Sequence, residues 1–323
     1  MRTWMVRGLL IGACAAAFVA PAAAEDDAGT DGVTLRVNVE KDATHTFRRE
    51  LSLTCSTKIG DGDFPTRDYE VAQELTVKTQ GVEDGTTRFA VTCATSDVTS
   101  STQGDEGVEK GTWDSTESEP NFDKGGDMMS VAAAFMMGKV LSGKTLGVDT
   151  DARVSAVTIH DTRARRAEEK DSIPSSSFAP ALLEGIVWSP DFLVKHLPEK
   201  AVREGDEVKR PVTFRTKMPR VAVHTELTLK VTRADADSVV LEGGGTPKLH
   251  RLERGGAVGS ALPADAFTEA SITCRLVVSA KDGLPLDVEW HVRGTYHHDT
   301  PLSKQLMHET TDLKVRMRRV EAE

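Results

Sequence analysis

The chain has 323 residues, 39% hydrophobic, 5% aromatic and 28% charged, which is enough apolar content for the core of one large domain or two smaller ones. Asp and Glu number 50 against 40 Lys and Arg, a net charge of −10. That balance argues against nucleic acid as a partner and against binding an anionic membrane surface by charge alone.

The first residues, "MRTWMVRGLLIGACAAAFVAPAAAEDD", set Arg2 and Arg7 before an apolar run from Gly8 to Ala20, followed by small residues and then Glu25. This is the pattern of a secretory signal peptide over residues 1–24, with a disordered acidic segment at 25–32 after cleavage. The apolar run is shorter than the ~20 residues a membrane span needs, and no other segment is longer, so no transmembrane segment is expected in the mature chain. Losing Arg2 and Arg7 leaves 38 basic against 50 acidic residues, a net of −12. The location implied is periplasmic or extracellular. A rival reading takes "IGAC" as a lipid-attachment box and anchors the chain as a lipoprotein at Cys14.

A first β-rich half is expected over 33–170. Odd positions Leu35, Val37, Val39, Phe47, Leu51, Leu53, Cys55 and Ile59 are apolar, and even positions such as Arg36, Asn38, Arg48 and Glu50 are polar. That alternation predicts one or two strands with one buried face. It recurs in Tyr69, Val71, Leu75 and Val77 and in Phe89, Val91 and Cys93, with Asp84-Gly85 as the hairpin turn between them. Residues 97–126 are acidic, rich in Gly, Ser and Thr and poor in apolar side chains, and read as a mobile loop. Then the period changes: Met128, Val131, Ala132, Phe135, Met136 and Val140 recur at helical spacing behind Asp127 as N-cap, predicting a helix near 127–141. "KTLGVDTDARVSAVTIHD" follows as strand, turn and strand.

A helical linker is expected at 171–205, with a second helical segment from Pro180 to His196. The second β-rich half, 206–323, repeats the alternation in Val221 to Val231, in Ile272 to Val278, in Leu284 to Val292 and in Leu313, Val315 and Met317. The fold class is therefore mainly β: a large curved antiparallel sheet or open barrel of about eleven strands in two related halves, with two helical segments between them.

The chemistry is sparse. No G-x-S-x-G elbow, Walker loop or C-x-x-C occurs, and "HETTD" lacks the second His and the helix of a zinc protease, so no catalytic residue is assigned and no cofactor is expected. On the strand after Asp282-Gly283 the even parity is apolar, which puts His291 and His297 on the polar face. A register pairing His291 with Asp312 and Thr295 with His308 would gather His291, His308 and Asp312, with His297, as weak metal candidates. Positions on one flat face are ~7 Å apart and diverge, so solvated histidines are the preferred reading and no metal is assigned. Cys55, Cys93 and Cys274 all sit on apolar parities; Cys55 and Cys93 are two strands apart, which leaves Cys274 as the partner in any bridge. Met128, Val131, Phe135, Met136 and Val140 on the first helix are the candidate lining of an apolar ligand groove, with helix-on-sheet core packing as the competing account.

"LSGKTLGVDTDARVSAV", "LPEKAVREGDEV", "AKDGLPLDVEW" and the last amphipathic strand resemble a two-halved, β-rich family of exported bacterial proteins classed as a domain of unknown function. The likeness rests on Gly143, Leu197-Pro198, Gly205-Asp206 and Asp282-Gly283, and carries no catalytic residues. The architecture is also similar to the open-barrel carriers of lipoproteins in the bacterial periplasm. Three functions are consistent with all this: a non-enzymatic envelope protein that binds or scaffolds another envelope protein, a carrier of a lipid or lipidated ligand, and a hydrolase with a dispersed site.

Overall fold

A computed structural model describes residues 32–104, 107–117, 119, 121, 128–141, 145–161, 194–195, 197–215, 221–253, 258–299 and 306–320. The expected signal segment, the N-cap Asp127 and nearly all of the expected second helix lie outside these residues.

The strands are β1 (Thr44–Ile59), β2 (Gly62–Asp63), β3 (Arg67–Glu83), β4 (Thr86–Gly104), β5 (Gly107–Asp114), β6 (Thr145–Asp151), β7 (Val157–Asp161), β8 (Glu207–Arg215), β9 (Val221–Ala234), β10 (Ser238–Gly245), β11 (Lys248–Leu252), β12 (Val258–Ala261), β13 (Phe267–Ser279), β14 (Pro285–Asp299) and β15 (Leu306–Val320). Among the described residues one α-helix, α1 (Met128–Leu141), stands between β5 and β6. All fifteen strands belong to one antiparallel sheet in the order β12-β11-β9-β10-β13-β14-β15-β1-β3-β4-β6-β7, with β2 on β1, β5 on β4 and β8 on β9. It is not closed into a barrel among the described residues.

Fifteen strands among the described residues correct the expected eleven. β10 and β11 both pair with β9 at different heights, and β5 and β6 divide β4 in the same way, so several extra strands extend existing rows instead of widening the sheet. The first and last strands, β1 and β15, pair from Thr46↔Val320 to Ile59↔Met307, which joins both halves of the chain in a single sheet.

Alternation decides the faces as expected. Phe47, Leu51 and Leu53 on β1, Val71, Leu75 and Val77 on β3, Leu227, Leu229 and Val231 on β9, and Leu313, Val315 and Met317 on β15 are all buried in one hydrophobic cluster. The other face carries a cross-strand charge ladder in which Arg275 meets Glu242 at 3.1 Å and Arg316 meets Asp287 at 3.2 Å. The β3–β4 hairpin turns at Asp84 (φ 50°) and Gly85 (φ 75°), two left-handed residues in succession, as a two-residue turn matched to strand twist requires.

Two sequence expectations change. Most of the loop at 97–126 is instead the end of β4 and all of β5: Val98, Ser100 and Thr102 are buried on alternate positions, and β4 pairs with β3 on one side and β5 on the other. Ser and Thr carry no hydrophobic signal, yet Thr is a good strand former once neighbouring strands supply the hydrogen bonds. The second change is at Leu35 to Val39, which is no strand. Val37 N–H donates to Ala152 C=O at 2.7 Å and Asn38 N–H to Asp282 C=O at 3.0 Å, so adjacent residues are tied to the β6–β7 and β13–β14 turns. Gly283 (φ 68°) lets this segment through, because a Cβ there would lie 2.1 Å from Arg36 O.

Candidate functional site

Helix α1 packs on β4 and β5, on the same side as the core. Among its described side chains, Ser130, Val131, Ala133 and Ala134 are buried. Small side chains here, with Gly111 opposite, let the backbones approach closely: a Cβ on Gly111 would stand 2.1 Å from Val131 N. Ser130 and Thr102 hydroxyls share a buried hydrogen bond at 3.3 Å, and Phe135 meets Trp113 edge to face at 6.4 Å. Of the five expected groove residues, Val131 is buried and Phe135 half-buried against the sheet, while Met128 is 70% exposed. Met136 and Val140 belong to the helix, but their side chains lie outside the described residues.

The apolar face is interrupted by polar side chains that the pattern of apolar residues passed over. Arg49 occupies an inward position between Phe47 and Leu51 and is 5% exposed. Its Nε donates to Gln73 Oε1 at 2.9 Å on the adjacent strand, and Gln73 Nε2 donates onward to Ser96 Oγ at 3.4 Å, making a relay across β1, β3 and β4. Cys93 borders it, its thiol pushed up by burial and pulled back in part by Arg49 and Gln73. On β14 and β15 the directly opposed Tyr296 and Glu309 are both buried, and burial together with the Glu309 carboxylate pushes the phenol up to about 12.

Arg210 departs from the way Arg49 is satisfied. It alternates with Val208 and Val212 on β8, is 4% exposed, and its Nε has no hydrogen-bond partner. Burial drags the guanidinium down to about 10, so it is still cationic at neutral pH. Cys274 lies near enough to interact with it, but burial pushes that thiol up to about 12, so at neutral pH it is uncharged and no counterion. The sequence signal for these sites was a polar residue on an apolar parity, as in V-K-R-P-V and F-R-R-E-L.

The outward face holds His291, His297 and His308. The β14–β15 register corrects the expected one by two residues: His291 lies opposite Lys314, Arg293 opposite Asp312, and His297 opposite His308. A two-residue slide preserves parity, so hydrophobic patterning cannot distinguish the registers. His291 Nε2 still reaches Asp312 Oδ1 diagonally at 2.9 Å, while His297 and His308 face each other through Nδ1 atoms 2.6 Å apart, with Thr268 Oγ1 2.7 Å from His297 Nε2. The four residues thus form two separate pairs. Among the described residues no group of three or more His, Cys, Asp or Glu side chains could hold a metal ion, and no disulfide links Cys55, Cys93 and Cys274.

No family model matches the chain, and no curated protein matches it in sequence. Solved structures that align with it include lipovitellin, titled for its lipid–protein interactions, at 5% identity and a TM-score of 0.45 over 88% of this chain and 26% of that one. An outer membrane channel from Pseudomonas putida F1 aligns at 9% identity and a TM-score of 0.28, covering 88% of this chain and 97% of its own. A DUF1329 family protein from Desulfovibrio piger aligns at 10% identity and a TM-score of 0.12, covering 84% and 86%. The chain spans about a quarter of the length of lipovitellin, and at these scores none of the likenesses assigns a fold family or a function.

Proposed function

We propose that this is an exported cell-envelope protein that binds rather than catalyses, and that its ligand is apolar: a lipid or a lipidated chain lodged against the apolar face of the sheet. The observation that carries the reading is the make-up of that face. An apolar wall built by both halves of one sheet contains a few buried polar side chains, Arg49, Gln73, Arg210 and Glu309, in place of apolar ones. Binding sites for small apolar molecules have this composition, a hydrophobic lining with a small number of placed polar groups that orient the ligand. Cores that serve only packing avoid buried charge, because desolvation penalises it. Export is read from the residues at 1–24, and among the described residues no helix is long and apolar enough to cross a membrane.

The test is native mass spectrometry of the chain purified from the envelope fraction of its own host, followed by organic extraction. A stoichiometric lipid or acyl mass is the expected result. A clean unliganded mass from that source would sink the reading and leave a scaffolding role to be sought by crosslinking.

A further inference from the structure

We propose that Arg210 is the seat for the carboxylate of a long-chain acyl anion, whose hydrocarbon lies along the apolar face of the sheet. β8 pairs only with β9 and forms an edge of the sheet among the described residues, so Arg210 is held at a margin of the apolar face, not at its centre. Val208 and Val212 flank it on the same parity and pack against the core, framing the cation with apolar surface. Leu227 lies directly opposite on β9 and is buried.

Among the described residues no carboxylate is paired with this cation. Glu207 on β8, Glu226 on β9, Glu242 on β10 and Glu269 on β13 are all exposed, and Glu226 and Glu242 are engaged there by Lys209 and Arg275. The Cys274 thiol is neutral, and the hydroxyl of buried Thr225 is turned to the carbonyls of Thr246 and Glu226. The chain satisfies its other inward arginine, Arg49, with Gln73 from the adjacent strand, whereas the Nε of Arg210 is left open. A guanidinium cannot shed its proton at neutral pH and offers a planar fork of donors that matches a carboxylate. An apolar surround strengthens that pairing and selects a ligand whose other end is hydrocarbon.

The inference rests on the apolar-ligand reading above, and one experiment separates their failures. The delipidated full chain is titrated with hexadecanoate and with hexadecanol at pH 8, where the acid is ionised, using wild type, Arg210→Gln and Arg210→Lys. Hexadecanoate is expected to bind wild type about ten-fold or more tightly than the alcohol, the preference to vanish in Arg210→Gln and to return in part in Arg210→Lys. Equal binding of both ligands to wild type, or a preference that survives in Arg210→Gln, overturns the assignment of Arg210 but leaves the apolar-ligand reading standing. Binding of neither ligand overturns both. The wild-type comparison of the two headgroups decides the matter even if a variant does not fold.

Discussion

Replacing Arg210 with Met should make the unliganded protein more stable, which is the reverse of what most core substitutions do. Met keeps an unbranched, flexible apolar stem of similar reach and removes the charge. Burial lowers the Arg210 guanidinium well below its ordinary value, to about 10, which corresponds to about 3 kcal/mol against the charged form in the fold. Because no partner returns that energy, up to about 3 kcal/mol is recovered on substitution, and imperfect packing of Met would subtract part of it. With an m-value of about 3 kcal/mol per molar urea, the midpoint should rise by up to about 1 M. The measurement is equilibrium urea unfolding of delipidated wild type and Arg210→Met, with Arg49→Met as the internal contrast. Arg49→Met should move the other way by about 1–3 kcal/mol, because it strips the Gln73 amide of its donor inside the core. A lower midpoint for Arg210→Met than for wild type would mean that the guanidinium is stabilised by a partner, and the account of an uncompensated cation would be wrong.

Three further outcomes follow from the same structure. Gly111→Ala would put a Cβ against the backbone of Val131, so α1 must retreat; a loss of about 1–3 kcal/mol is expected, with a changed emission from Trp113 as its contact with Phe135 loosens, and an unaltered midpoint would refute the close approach. Stability should fall as pH drops below about 6.5, because His45, His224 and His297 are all held below their ordinary values, chiefly by burial and secondarily by Arg319, His250 and His308 respectively. In that range the unfolded chain binds more protons than the folded one, so acid favours unfolding. His45→Gln should flatten part of the slope between pH 7 and about pH 5, since His45 Nδ1 accepts from Arg319 at 2.7 Å and protonation ends that bond; a wild-type midpoint flat across this range refutes the assignment. Finally, Cys274, buried and with its thiol pushed up to about 12, should resist alkylation at pH 8 until urea unfolds the chain, and labelling of the native protein at this position, read by peptide mass, would contradict its burial.

Local pattern reached far into this fold. The strand alternation in β1, β3, β9, β14 and β15, the Asp84-Gly85 turn and the period of α1 were all legible, because side-chain direction alternates strictly along a strand and recurs every 3.6 residues along a helix. The hairpin at β4 and β5 was not, since Thr and Ser become strand residues only when neighbouring strands accept them. Of the candidate site, the helix was legible but not the inward polar residues, because a search for apolar alternation steps over a lone Arg such as Arg49 or Arg210 as noise.

The sequence by itself determined which apolar residues of the main strands look inward, and it did so through parity alone. Parity is blind to a slide of two residues, so only the assembled sheet decided that His297 meets His308 and that His291 reaches Asp312 across a diagonal. Only the assembled sheet, too, joined β1 to β15 and separated the fates of two inward arginines, since a hydrogen-bond partner such as Gln73 is supplied by a neighbouring strand and not by the residue's own. Among the described residues Arg210 Nε received no such partner, and no local pattern encodes that difference.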